Sequence, residues 1–229
     1  MKNIKLIAVD YDGVVIEDIF TQVLHIQTKK YGAEYTPELE YNTISQRRED
    51  SASYAIRVLG SPSGLSIEQI LEEFYKEREN FLVNGENPLN AGVIEFLDTL
   101  KSMNVKMVCY GGLEENLIDL GVRPVLEKYF ERYICTDAFR PGLKEIVQDI
   151  HGLDFSEVLF IDDVNRMAEE AKKYNIPFIG VPAQHSWGFQ KKEMEKTGVK
   201  YIVSSIKEIT KDYLEQVDSD QEIWKSPVV

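Results

Sequence analysis

The strongest constraint on this chain is a short apolar run that stops at acidic residues. Ile4-Lys5-Leu6-Ile7-Ala8-Val9 contains no breaker, and Asp10-Tyr11-Asp12-Gly13-Val14 follows it at once. Such a run suits a buried parallel strand. Gly13 permits a sharp turn just past the strand's carboxyl end. Asp10 and Asp12 lie two apart, so in a fully extended strand both side chains would project to one face. In an open α/β sheet that end borders the crevice where ligands bind. Two carboxylates so close repel each other unless a proton or a cation separates them. Mg²⁺ is one solution, because it takes few carboxylates and shares phosphate oxygens. The plain alternative is a turn, in which Asp and Gly are common residues.

The rest of the chain alternates in a way that extends this strand into a sheet. From Ala91 onward, helical and strand-like segments take turns: a helix over 91–103, strands at 105–109 and 133–135, and helical stretches at 113–120 and 125–130. A helix through Ile146, Val147 and Ile150 leads to Val158-Leu159-Phe160-Ile161, the clearest buried strand, which ends in Asp162-Asp163. A helix from Asn165 to Tyr174 and a strand at 176–181 complete the unit. This order predicts a doubly wound parallel sheet with helices on both faces. Residues 16–88 show almost no strand alternation. An amphipathic helix runs to Tyr31-Gly32, and a polar, helix-compatible stretch over 45–59 ends at Gly60-Ser61-Pro62-Ser63-Gly64. A capping box at Ser66-Ile67-Glu68-Gln69 then opens another helix. The expected organisation is an α/β core (1–15 and 89–215), an inserted helical cap (16–88) and a loosely held acidic tail (216–229).

Composition narrows the partners. The formal charge of −13 argues against general affinity for nucleic acid or anionic membranes, so an anionic ligand needs local positive charge. No stretch is long and apolar enough to span a bilayer, and the chain opens on a strand where a signal peptide would stand. Cys109 and Cys135 each end an apolar run and read as reduced thiols of a cytoplasmic protein.

Asp162-Asp163 ends one strand as Asp10 and Asp12 end another, so four carboxylates are placed to converge on one site. The competing reading makes Asp162 or Asp163 a helix cap. A convergence of four carboxylates needs a metal to be tolerable.

Together, Asp10-Tyr11-Asp12-Gly13-Val14, the helical insert, Pro88 through Gly92-Val93, Arg140-Pro141 and Phe160-Ile161-Asp162-Asp163 resemble the haloacid dehalogenase-like hydrolases. The placement of the insert is similar to phosphoglycolate phosphatases and β-phosphoglucomutases. The resemblance implies a Mg²⁺-dependent phosphatase acting on a small phosphorylated metabolite, as a monomer or homodimer. Asp10 would be the nucleophile that forms an aspartyl-phosphate, and Asp12 the general acid and base. Mg²⁺ would be held by the Asp10 carboxylate, the Asp12 carbonyl and Asp163, with Asp162 in support. Dehalogenating members lack the second aspartate, which this chain keeps.

Three positions depart from the family's pattern. Tyr110, or Cys109 with a one-residue shift, stands where a phosphate-binding hydroxyl is usual; a tyrosine packed at the sheet edge is the alternative, and Gly111-Gly112 after it could offer backbone amides to phosphate or form a simple turn. Arg140 replaces a lysine, keeping the charge but changing its geometry. Met167 stands where a small polar residue is common and reads as core. A phosphomutase would use the same chemistry, and a non-catalytic or weakly active binding protein of this fold is the reading from another class. Arg47-Arg48 could contact the far end of a substrate, though paired arginines on a helix usually form a solvated face, and His185 and Trp187 could line the cleft.

Overall fold

The computed structural model describes residues 1–59, 64, 66–84 and 88–225. The expected turn at 60–63, the approach to Pro88 through Asn87 and the last four residues lie outside these. Six strands form one parallel sheet: β1 (Leu6–Asp10), β2 (Lys106–Gly111), β3 (Tyr133–Cys135), β4 (Val158–Asp162), β5 (Phe178–Gly180) and β6 (Tyr201–Ile202). Their spatial order is β3-β2-β1-β4-β5-β6. The chain builds outward from β1 on one side and then returns to pair β4 on the other. The crevice between β1 and β4 is therefore the switch point where such sheets bind ligands.

Alternation along each strand sorts the core into two layers. Ile7, Val9, Cys109, Leu159 and Ile161 pack on one face, and Leu6, Ala8, Val108, Val158 and Phe160 on the other. Both layers are closed by helices: α5 (Val93–Ser102), α6 (Arg123–Tyr129), α7 (Asn165–Lys173), α8 (Gln190–Thr197) and α9 (Lys211–Ser219). Glu145–Ile150 forms a π-helical segment. Met167 is fully buried in α7, as its sequence context predicts. The stretch at 113–120 forms only a single helical turn at Glu115–Leu117.

Between β1 and α5 lie α1 (Phe20–Lys30), α2 (Pro37–Thr43), α3 (Arg48–Val58) and α4 (Ile67–Asn84). The sequence reading had no α2, whose start is fixed by Thr36 accepting from the Leu39 N–H with proline at the first turn. Ser66 and Gln69 make the reciprocal capping-box bonds at the start of α4. The segments entering and leaving this helical layer pair with each other: the Glu17 N–H donates to Pro88 O at 2.8 Å and the Asn90 N–H to Val15 O at 3.0 Å. Among the described residues no helix is long and apolar enough to cross a membrane.

The expectation of a loose tail from Gln216 is corrected over its described part. Val217 is buried, and the Asp218 carboxylate accepts N–H bonds from Lys2, Asn3 and Ile4 at 2.6–3.0 Å. These donors belong to the free end leading into β1, and helix α9 supplies their acceptor. Burial alone would raise the Asp218 pKa, but the three donors outweigh it and hold the carboxyl below its ordinary value. Such a group stabilises the fold above its unfolded pKa and loses that contribution as pH falls through its folded pKa. Asp218→Asn is expected to cost about 2 kcal/mol near pH 7. Urea denaturation should show that cost shrinking once pH drops below the ordinary carboxylate range.

Candidate active site

The two central strands deliver their last residues to a common point. Asp10 ends β1 and Asp162 ends β4, strands paired from Leu6 with Val158 to Val9 with Ile161. Both follow the parity of Leu6, Ala8, Val158 and Phe160, so they leave the sheet on the same face. Asp163 comes next in the chain, and ligand atoms of Asp10, Asp162 and Asp163 all lie within 4.8 Å of one another. All three are buried, the most exposed being Asp10 at 7%.

Such a cluster cannot hold three free charges. Burial pushes Asp10 well above its ordinary pKa, the Asp162 charge adds to this, and the Arg140 guanidinium opposes it. Burial also raises Asp163 strongly, helped by Asp18, Asp162, Asp10 and Asp12. Asp162 rises only to about 6, because burial is countered by bonds from the Tyr110 hydroxyl and the Val164 N–H. Asp163 Oδ1 is buried and has no hydrogen-bond partner. A buried acceptor oxygen left without a donor, on one of three clustered carboxylates, fits a hard cation, which takes oxygen ligands and neutralises their charge.

Gly13 shapes the cradle. It has a φ of +98°, and a Cβ there would fall inside the Asp163 carboxyl group. Only glycine satisfies both demands. Gly13→Ala is expected to cost about 1–3 kcal/mol, read by urea denaturation in the presence of EDTA.

Asp12 departs from the sequence expectation. The strand ends at Asp10, so Asp12 lies in the turn and is not one of the three clustered carboxylates. Its Oδ1 accepts from the Ile19 N–H at 2.9 Å and the Phe20 N–H at 3.4 Å, at the start of α1. Burial and then the Asp18 charge push it up to about 7. It still lines the same cleft as Asp10.

Tyr110 is also corrected. It is fully buried, its ring packs edge-on to Phe160, and its hydroxyl donates to Asp162 Oδ2. A residue of the Asp10 and Asp162 parity on the neighbouring strand meets the acid instead of the open cleft. The phenol positions Asp162, so a direct phosphate contact is withdrawn. Cys109 points to the opposite layer and is buried there. Gly111 and Arg140 do line the cleft, and Arg140 packs over Gly112, where any Cβ would collide with its guanidinium.

The Arg78–Asp119 pair escaped the sequence reading. Arg78 on α4 is 6% exposed and donates to Asp119 Oδ2 at 3.0 Å, while the Tyr11 hydroxyl donates to the same oxygen at 2.8 Å. Arg78 sits four residues after Phe74 and three before Phe81, a cation on an apolar helical stripe. That spacing was the available signal. Arg48, read as a solvated residue, instead bonds Asp137 at 3.0 Å and Glu114 at 2.7 Å. His185 and Trp187 do not line the cleft. Trp187 is stacked between His25 and His185, and His185 Nε2 lies 3.3 Å from Asp18 Oδ2.

A parallel sheet with an acidic switch point beneath an inserted helical layer is the architecture of the haloacid dehalogenase-like hydrolases, and this chain has that fold. Neither a family model nor a curated protein matches its sequence. Among solved structures, a HAD hydrolase of family IA, variant 3, from Entamoeba histolytica superposes with a TM-score of 0.66 at 14% identity, covering 95% of this chain and 100% of that one. CbbY from Rhodobacter sphaeroides, solved with xylulose-(1,5)bisphosphate, gives 0.63 at 15% identity, covering 90% and 96%. A β-phosphoglucomutase from Clostridium difficile gives 0.60 at 17% identity, covering 94% and 97%.

Proposed function

We propose that this protein is a Mg²⁺-dependent phosphatase that hydrolyses a small phosphorylated metabolite through an aspartyl-phosphate on Asp10. One observation carries the reading: three buried carboxylates meet at the switch point, and one Asp163 oxygen there has no donor. Asp10, Asp163 and the Asp12 carbonyl would hold the ion, with Asp162 in support. When bound, Mg²⁺ neutralises charge on the phosphoryl group so that an anionic nucleophile can approach it.

The chain's own residues divide the remaining work. An Asp10 oxygen forms the new bond to phosphorus as the ester oxygen leaves. Asp12 gives that oxygen a proton and then takes one from the water that attacks the acyl phosphate. Phosphate is released and Asp10 is regenerated. The Ile19 and Phe20 N–H groups hold Asp12 Oδ1 and leave Oδ2 to carry the proton. Arg140 offers its guanidinium to the phosphoryl oxygens, a role that suits a planar fork of donors. The layer α1–α4 acts as a cap domain that excludes bulk water and selects the substrate.

Phosphate release from p-nitrophenyl phosphate, with Mg²⁺ and with EDTA, tests this reading. Turnover that depends on Mg²⁺ is the expected result. None on that ester or on a broad set of phosphorylated metabolites would favour a non-catalytic binding protein of the same fold. Product analysis separates hydrolysis from a phosphomutase, in which the phosphoryl group returns to the substrate.

A further inference from the structure

The cleft above Asp10 is an open cavity of about 130 Å³. Its charged residues gather at the sheet end and where the helical layer meets the core. Most of the remaining exposed wall is hydrocarbon, from Phe20 and Leu24 on α1, Ile44, Ala52 and Ala55 on or before α3, and Phe74 on α4. Leu24, Ile44, Ala52 and Ala55 are at most 5% exposed, and the Phe20 and Phe74 rings are 4.9 Å apart. Thr21, Gln27, Ser45, Gln46, Ser51 and Tyr75 also line the cleft and can orient polar groups, and the Thr43 hydroxyl is engaged by Leu39 O, but most of the exposed lining surface is carbon.

The cations sharpen the picture. Among the described residues, arginine supplies every basic side chain lining this cleft, at positions 48, 78 and 140. Arg48 is paired with Glu114 and Asp137, and Arg78 with Asp119. Among the described lining residues, Arg140 alone lacks an acidic partner within 4.0 Å, and it sits beside Asp10 at the phosphoryl end. A second phosphate or carboxylate would find Arg48 and Arg78 already paired with acids and would otherwise face a mostly apolar surface. Burying an unpaired charge there is costly, whereas burying an aromatic or alkyl group is favourable.

We infer that the substrate is a phosphomonoester with one anionic group and an apolar, aryl- or alkyl-sized organic part, in place of a polyol phosphate or a bisphosphate. This rests on the phosphatase reading for turnover and on the cleft alone for binding, so the two are tested separately. The first arm is calorimetric titration of the wild-type protein with Mg²⁺ and phosphonates. Benzylphosphonate is expected to bind at least about tenfold tighter than methylphosphonate, an increment set by the extra apolar area. Ala52→Leu, which fills the wall, should remove that difference. The second arm compares kcat/KM for benzyl phosphate, glucose 6-phosphate and fructose 1,6-bisphosphate, with a preference for benzyl phosphate expected.

Equal affinity for the two phosphonates, failure of both to bind, or preference for the hexose monophosphate or bisphosphate would overturn the inference. Selective benzylphosphonate binding without phosphate release would leave it standing and overturn the phosphatase reading. Phosphate release without discrimination would do the reverse.

Discussion

Asp10→Asn is expected to lower kcat for phosphate release by about 10⁴-fold or more, the scale seen when a covalent nucleophile is removed. Asparagine keeps the shape of the side chain, so the buried end of β1 should fold as before. The amide cannot form the acyl phosphate, and the loss should appear in kcat with KM unchanged or lower, because one negative charge facing the phosphate is gone. Rapid acid quench of the wild-type protein with substrate should yield a phosphorylated peptide containing Asp10, and the variant none. Retention of a tenth of the wild-type rate, or a phosphorylated peptide from elsewhere in the chain, would remove Asp10 from its assigned role.

The second large effect concerns the metal. Saturating Mg²⁺ at about a hundred times its Kd should stabilise the folded protein by about 2.7 kcal/mol. For a chain of this size that is about 5–10 °C in Tm. Asp163→Asn should abolish this response, since it removes the carboxylate whose Oδ1 has no protein donor. The metal-free proteins should differ in a way whose sign is fixed by protonation. Asp163 binds its proton more tightly folded than unfolded, because burial and four neighbouring acids raise its pKa. The folded state then holds more protons, so stability in EDTA falls as pH rises from the ordinary carboxylate pKa toward the raised one. The asparagine variant should show a shallower fall, and Mg²⁺ should flatten the wild-type curve. Urea titrations from pH 5 to 8 would read both; a Tm in Asp163→Asn that still climbs with Mg²⁺ would place the ion elsewhere.

Five strands of the parallel sheet were legible because strand and helix periods are local properties, and a buried run such as Val158–Ile161 has few other places to go. The acidic strand ends were legible for the same reason. Periodicity failed for α2, whose start depends on a single capping threonine, and for the short β6, which has only two residues to display alternation. The tail was misread because its polarity conceals the backbone donors that Asp218 meets more than two hundred residues away.

For the site, sequence determined which residues carry chemistry, and tertiary structure decided how they are shared out. Parity along neighbouring strands brought Tyr110 onto Asp162 and kept it from the cleft. The early end of β1 separated Asp12 from the carboxylate cluster and set it at the start of α1. Pairing of Arg48 and Arg78 with acids on the core loops left Arg140 as the unpaired cation among the described residues of the cleft. These outcomes depend on which side chains meet across gaps of tens to hundreds of residues. A linear pattern records what each segment buries; the partner it finds there is fixed only when strands, turns and helices pack.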